Sequence, residues 1–214
     1  MSIKYPGGLP YRSNSNANTE KMRLAKKKPS FSNRGMTLEE EINQSNDTYR
    51  TKNIAVIHKK PIPIQVVKVN YPKRSAAVIT EAYYKTASTT DYNGLYKGYY
   101  IDFEAKETKN KTSFPLKNFH EHQVEHMRQC IAHGGICFVI LRFSTLNRLF
   151  LLEAEQLILF WDNKKKNGRK SIPFSEIEQS CYEIQYGFSP RIPYLDAVEE
   201  IIKRKEADKE KEHE

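Results

Sequence analysis

Two acids, Asp91 and Glu104, and one base, Lys106, occur at a spacing that could support catalysis. Glu104 and Lys106 are two residues apart, so in a strand both face the same side, while the apolar residues that alternate with them face a core. Asn93-Gly94 lies between two β-rich runs and is a strong hairpin turn signal. It predicts that Asp91 lies on the neighbouring strand, near Glu104.

Two carboxylates that meet beside an ammonium group suit the magnesium-dependent hydrolysis of a phosphodiester. Carboxylates hold a hard cation that prefers oxygen ligands, and the lysine can steady an attacking hydroxide or the charge that builds on the phosphate. Thr89 lies two residues before Asp91 and shares its face. Without a metal, placing Asp91 and Glu104 beside a polyanion would cost free energy. The spacing alone leaves open an ordinary exposed cross-strand ion pair.

The charge of the chain, formally +9 over 214 residues, is concentrated in two places. Residues 1–35 contain eight Lys/Arg and one acid, and residues 50–75 contain seven Lys/Arg and no acid. Two basic regions beside an acidic remainder predict that a polyanion is held at two patches, while the carboxylates serve another purpose. A basic protein without a nucleic-acid partner is the simpler alternative.

Alternating helix and strand patterns predict an α/β fold. Thr37 followed three residues later by Glu40 is a capping box that begins a helix. A second helix is predicted to begin at Asn118 and to end at Gly134-Gly135. The apolar run ICFVILRF that follows is typical of a buried strand.

The ends of the chain differ from its middle. Residues 1–33 are basic, polar and without periodicity, which predicts a flexible arm. Residues 34–203 are expected to form one folded domain, and residues 204–214 lose the apolar stripe and are expected to fray as a charged tail. Three cysteines without framework spacing, no signal peptide and no apolar run of bilayer length predict a cytoplasmic protein without a membrane partner.

The pattern D-x12-E-A-K, followed by a helix and a buried strand, resembles the core of the PD-(D/E)xK nucleases. More narrowly, the segments YPGGLPYRSNSNANTE, NRGMTLEEEIN, TDYNGLYKGYYIDFEAKET, FPLKNFHEHQ and GGICFVILRF together resemble the RecU family of Holliday junction resolvases. The resemblance implies a restriction-endonuclease-like mixed central β-sheet flanked by helices, with a projecting β stalk at about residues 60–85.

The same resemblance implies a homodimeric endonuclease that uses Mg2+, with Mn2+ as an alternative cation. It would cut four-way junction DNA by paired symmetric nicks in recombination and repair, and would also modulate the RecA recombinase. Matched position by position, the family's catalytic residues fall on Asp91, Glu104 and Lys106, with Lys106 stabilising the transition state. Its magnesium ligands fall on Thr89, Asp91, Glu104 and Gln123, although Gln123 could also lie on a solvated helix face. DNA contacts are predicted for Arg34, Lys59, Lys60, Lys68, Lys73 and Arg74.

Two other functions fit the same residues. A non-catalytic protein that binds junctions or modulates the recombinase would keep the acids for structure alone, and metal dependence separates it from a nuclease. A restriction-type nuclease of the same superfamily would cut ordinary duplex at a sequence motif.

Some residues admit further roles. His122, His126 and Cys130 recur every four residues and could share a zinc ion with Cys137. One of the acids at positions 39–41 could approach the metal from the first helix, although the helix dipole already explains all three. Interleaved with basic residues are four tyrosines that could stack on unpaired bases: Tyr71, Tyr83, Tyr84 and Tyr92.

Overall fold

The computed structural model describes residues 36–73, 76–85 and 89–212 of the chain. The predicted N-terminal arm lies outside these ranges, as do Arg34 and Arg74, two of the predicted DNA contacts. None of the helices within the described ranges is both long enough and apolar enough to cross a membrane.

Helices and strands alternate along the chain. The helices are α1 (Leu38–Thr51), α2 (Glu121–Ala132), α3 (Ala154–Lys165), α4 (Phe174–Ser180) and α5 (Tyr194–Glu212). The strands are β1 (Val56–Lys59), β2 (Ile64–Asn70), β3 (Val78–Tyr84), β4 (Tyr92–Tyr96), β5 (Tyr99–Thr108), β6 (Ser113–Pro115), β7 (Ile136–Phe143), β8 (Arg148–Glu153), β9 (Ser171–Pro173) and β10 (Tyr182–Ile184).

Six strands form one mixed sheet in the order β1-β4-β5-β7-β8-β10. Strands β5 and β7 are parallel because α2 crosses between them, and the other neighbouring strands are antiparallel. Strands β6 and β9 form a separate two-stranded pair. The predicted architecture, a mixed central sheet flanked by helices, is confirmed.

Each face of the sheet has its own core. On one face, Ile101 and Phe103 of β5 belong to a buried cluster with residues of α1 and α5. On the other face, Val139 and Leu141 of β7 belong to a cluster with residues of α2 and α3. Because side chains alternate along β5, the residues between its core positions point toward the α2 side.

The first helix begins as predicted, but the second begins later. Thr37 and Glu40 form the capping box of α1. Residues 116–118 form a 3-10 turn, so α2 begins at Glu121 rather than directly after Asn118. The His120 backbone N–H donates to Gln123 Oε1 at 3.1 Å. This bond fixes the amide of Gln123 in the first turn of the helix.

The tight turn between β4 and β5 is not at Asn93-Gly94 as predicted. It lies at Lys97-Gly98, whose φ values of 49° and 83° are the positive pair that a two-residue hairpin turn needs. Gly94 instead lies inside β4, where a Cβ would come within 2.0 Å of the Val56 carbonyl oxygen on β1. Position 94 therefore needs a glycine because the backbone of β1 comes close to it. This later turn pairs Tyr92 with Phe103, the register that puts Asp91 opposite Glu104.

Strands β2 and β3 form an antiparallel hairpin apart from the main sheet, within the predicted stalk region. Of its strand residues, only Val69 is even half-buried, so both faces are exposed. Apolar residues with 43–56% of their surface exposed line it: Ile64, Val66, Val67, Val78 and Ile79.

Residues 204–212 are helical where fraying was predicted. Helix α5 continues to Glu212 beyond the end of its apolar stripe. Arg204 pairs with Glu153 and Lys205 pairs with Glu155, so ion pairs to the folded domain hold the helix past residue 203.

Candidate active site

Glu104 is the centre of the predicted site, and the structure buries it completely. Gln123 on α2 donates its Nε2 amide to Glu104 Oε2 at 2.8 Å. The Lys106 ammonium lies 2.9 Å from Glu104 Oε1. Its angle does not make this contact a hydrogen bond, and within the described residues Oε1 has no hydrogen-bond partner. A buried carboxylate oxygen is thus left with capacity for another ligand.

Asp91 joins Glu104 from the neighbouring strand. The register of β4 on β5, extended by one residue beyond the Tyr92–Phe103 pair, puts Asp91 opposite Glu104. Burial, and next the neighbouring Asp91 carboxyl group, raise the pKa of Glu104 to about 8, while Lys106 acts in the opposite direction. The extended register puts the two acids on one face of neighbouring strands, where their carboxylates can share a cation.

The donor atoms fit a divalent cation of the hard type. Asp91 and Glu104 supply carboxylate oxygens, and one of those of Glu104 is buried without a hydrogen bond to any residue that the structure describes. Half-buried Thr89 lies two residues before Asp91, with its hydroxyl donating to the Thr90 carbonyl at 3.2 Å. Gln123 presents its NH2 group to Glu104, because its Oε1 accepts the His120 N–H. In this arrangement Gln123 orients Glu104 and does not offer a ligand oxygen.

A second charged group lies beside this site on the same face of β5. Fully buried Asp102 is two residues before Glu104, and its Oδ2 lies 3.2 Å from His126 Nε2. Cys130 Sγ lies 3.5 Å from the same nitrogen. The zinc hypothesis required His126 and Cys130 to lie together with His122. In the structure they lie together with Asp102 instead. His122 stacks on His120 instead, with ring centroids 5.4 Å apart.

Comparison with known proteins identifies the family. The model of the family described as Recombination protein U matches residues 33–200. The chain belongs to the RecU family. A Holliday junction resolvase RecU from Lactiplantibacillus plantarum is 61% identical over 202 residues, which cover 94% of this chain and 97% of that protein. The Holliday junction resolvase RecU of Bacillus subtilis is 57% identical over 199 residues, covering 93% of this chain and 95% of that protein.

The solved structures that resemble this RecU-family chain include the Holliday junction resolvase Hjc of Archaeoglobus fulgidus, with a TM-score of 0.38 and 12% sequence identity. The similarity covers 66% of this chain and 94% of that protein.

The acids of the first RecU helix each have a partner away from Glu104. Glu39 forms an ion pair with Lys59, and Glu40 caps α1. Glu41 is buried and pairs with Arg142 of β7 at 2.9 Å. Arg142 alternates with the β7 residues of the α2 face, so this pair lies on the opposite face of the sheet from Glu104.

The predicted DNA contacts divide into two groups. Lys68 on β2 and Lys73 beyond it are exposed. Lys60 is different, because its ammonium lies 2.8 Å from Asp102 Oδ2 and its side chain is 18% exposed.

The four tyrosines that could stack on bases also differ in exposure. Tyr92 is 1% exposed and stacks on Phe103, so it cannot stack on a base. The other three are exposed: Tyr71, Tyr83 and Tyr84.

Asp102 is the residue of this site that sequence reasoning missed. Strand alternation was sufficient to find it, since the rule that puts Glu104 and Lys106 on one face also puts Asp102 there. The local pattern could not show the partners of Asp102, because they come from distant segments of the chain.

The raised pKa of Glu104 predicts a stability that falls with pH. Between the ordinary value near 4.5 and the folded value of about 8, the folded chain holds a proton that the unfolded chain has lost. In chelator, the unfolding free energy of the wild type should therefore decrease by roughly 1 kcal/mol per pH unit relative to Glu104→Gln. Denaturant unfolding at pH 5.5, 6.5 and 7.5 measures this difference.

A saturating divalent cation should remove most of that slope, because it favours the ionised carboxylate. Glu125→Gln, on the exposed side of α2, is the matched control and should retain the wild-type slope. Parallel pH profiles for the wild type and Glu104→Gln in chelator would contradict the assigned environment of Glu104.

Proposed function

We propose that this protein is a Mg2+-dependent crossover junction endodeoxyribonuclease that resolves four-way DNA junctions by paired nicks in the cytoplasm. The observation that carries the proposal is the buried Glu104 oxygen that has no hydrogen bond from the described part of the chain, beside Asp91 and Lys106. The names of the curated relatives support the substrate. Modulation of the RecA recombinase, which the family resemblance implies, is part of the same proposal.

Asp91 and Glu104 would hold the cation, with Thr89 beside them. When bound, Mg2+ neutralises charge on the phosphate and lowers the pKa of an attacking water. Lys106 contributes a fixed ammonium on the same face, where it can stabilise the negative charge that develops on the phosphate oxygens. The expected products are a 5′-phosphate and a 3′-hydroxyl.

Gln123 and His120 contribute orientation. Because the His120 N–H fixes Gln123 Oε1, the amide NH2 is directed at Glu104 Oε2, and Glu104 Oε1 faces the Lys106 ammonium without a hydrogen bond from the described residues. A carboxylate held in this way loses little freedom when a cation binds.

The exposed hairpin supports assembly as a homodimer. A two-stranded sheet is marginally stable by itself in water, and β2–β3 exposes apolar residues on both faces. A second copy of the chain can cover those residues while leaving Lys68 and Lys73 for DNA. A two-fold dimer also presents two identical sites, which matches a junction that is nicked at paired positions.

The catalytic assignment predicts cleavage that depends on both acids. Asp91→Asn and Glu104→Gln keep side-chain size and should lower the single-turnover cleavage rate of a labelled four-way junction at least about 100-fold. Junction binding in chelator should change by less than about threefold, since phosphate contacts by basic residues supply most of the affinity. Glu125→Gln should cleave like the wild type.

The same assay separates the alternatives. Symmetric nicks in the junction alone, and only with Mg2+, support the proposal. Cleavage of a matching linear duplex at a sequence motif would indicate a restriction-type enzyme. Tight junction binding by the wild type without cleavage in any divalent cation would indicate a non-catalytic binding protein.

The exposed stalk lysines predict a change in salt dependence. Lys68→Gln and Lys73→Gln should each reduce the slope of log affinity against log salt by about 1, because each phosphate contact releases about one counterion. Lys203→Gln, an exposed residue on α5, is the control and should retain the slope. Fluorescence anisotropy with a labelled junction at five salt concentrations measures the slopes, and unchanged slopes would remove these lysines from the interface.

If the hairpin forms the dimer interface, a single charge added to it should weaken the dimer. Val66→Glu adds a charge to an apolar position that is 43% exposed in the single chain, so folding should be retained. The dimer dissociation constant should rise at least about tenfold, because the charge would be buried at the interface. Sedimentation equilibrium tests this, with Leu159→Glu on α3 as the exposed control. A monomeric wild type, or an unchanged constant for Val66→Glu, would contradict the proposal.

A further inference from the structure

Asp102 has an unusually complete set of partners for a buried acid. Its side chain is fully buried on the face of β5 that also carries Glu104. The Tyr100 hydroxyl donates to Oδ2 at 2.8 Å, and the Thr90 hydroxyl donates to Oδ1. The Lys60 ammonium and His126 Nε2 lie 2.8 Å and 3.2 Å from Oδ2. Both carboxylate oxygens are therefore satisfied, in contrast to Glu104.

Lys60 ties three of these groups together. It lies at the junction between β1 and the β2–β3 hairpin. Its backbone N–H donates to the Asp91 carbonyl at 2.7 Å. Its ammonium donates to Thr90 Oγ1 at 3.0 Å and to Asp102 Oδ2 at 2.8 Å. One residue thus holds the peptide of a catalytic acid and the hydroxyl of the residue before it.

The ion pair constrains geometry more than it adds stability. Burying a carboxylate and an ammonium costs desolvation that their attraction only partly offsets, whereas removal of one partner leaves an uncompensated charge. Lys60 therefore cannot leave Asp102 without loss of free energy, and the segment that contains Thr90 and Asp91 is held to the same place. Segments that supply metal ligands need this kind of support.

A metal ion is the competing explanation for this cluster. One ligand atom from each of Asp102, His126 and Cys130 lies within 4.8 Å of the others, which suits a small cation. However, Oδ2, the oxygen nearest His126, is already contacted at 2.8 Å by both the Lys60 ammonium and the Tyr100 hydroxyl. The chain supplies its own cation at the position that a metal would need.

We propose that Asp102, through Lys60 and Thr90, is a positioning residue for catalysis that fixes Asp91 against Glu104 and anchors the hairpin base to the catalytic strand. This inference rests on the proposed nuclease function. It also gives Lys60 a role different from that of Lys68 and Lys73: its ammonium positions Asp91 and does not bind DNA phosphate.

The test uses variants that preserve shape. Asp102→Asn removes the charge, Lys60→Met removes the ammonium, and the double variant removes both. Each should lower the saturating single-turnover cleavage rate about 10- to 100-fold, because small misplacements of reacting groups have effects of that size. Each should also raise the Mg2+ concentration for half-maximal rate. The double variant should be no slower than the slower single variant, since the residues act as a unit.

Junction binding distinguishes positioning from DNA contact. In chelator, Lys60→Met should bind a labelled four-way junction with the wild-type salt slope. A reduced slope with an unchanged saturating rate would make Lys60 a phosphate contact and overturn the proposal. The matched control is the exposed ion pair of Lys97 and Glu199, 2.6 Å apart. Lys97→Met and Glu199→Gln should leave the rate and the Mg2+ dependence unchanged.

A second variant and a zinc-binding measurement also test the role of Asp102. If Asp102→Asn does not fold, Thr90→Val removes one hydroxyl of the same network and should show the same rise in Mg2+ requirement. Saturating rates within about twofold of the wild type for all these variants would overturn the inference. So would stoichiometric zinc binding that is lost in Asp102→Asn and Cys130→Ser. A wild type that cuts nothing contradicts the nuclease function itself, which is a separate failure.

Discussion

Strand β5 presents two carboxylates, Asp102 and Glu104, on a face that folding removes from solvent. An ionised carboxylate is tolerated there only when donors or cations compensate for the lost water. Much of the surrounding structure supplies that compensation: α2 contributes Gln123 and His126, the segment before β4 contributes Thr90, and the end of β1 contributes Lys60. The need to satisfy these charges ties three parts of the chain to one strand.

The two carboxylates are nevertheless satisfied to different degrees. Asp102 has a donor on each oxygen and an ammonium partner. Glu104 has one hydrogen bond on Oε2 and a poorly aligned ammonium beside Oε1, and its pKa is raised to about 8. Groups with a perturbed pKa concentrate at functional sites, because a bound ligand can supply the interaction that the protein leaves unmade. The two neighbours on one strand therefore differ: both oxygens of Asp102 have donors, whereas Glu104, the proposed catalytic acid, has a hydrogen bond on one oxygen only among the described residues.

Local patterns in the sequence predicted much of this arrangement, and the errors have physical causes. Alternation along β5 placed Glu104 and Lys106 on one face, and the capping box placed the start of α1. Asn93-Gly94 misled because glycine also occurs where another backbone comes close, here Val56 of β1. That approach is a long-range contact, and so is the salt bridge that removes the Lys60 ammonium from solvent. The arm and the site roles taken from the family resemblance stay predictions.

The hairpin and the catalytic site meet at one residue. Beyond its base, β2–β3 exposes apolar residues, and exposed apolar patches commonly mark interaction surfaces. At its base, Lys60 donates to Asp91 and Asp102, which fixes the start of the hairpin relative to β5. A displacement of Lys60 would therefore act directly on the segment that carries Asp91, because Lys60 donates hydrogen bonds to both Asp91 and Asp102. In the proposed enzyme, Lys60 links the base of the hairpin that would contact the junction to the acid that would hold the cation.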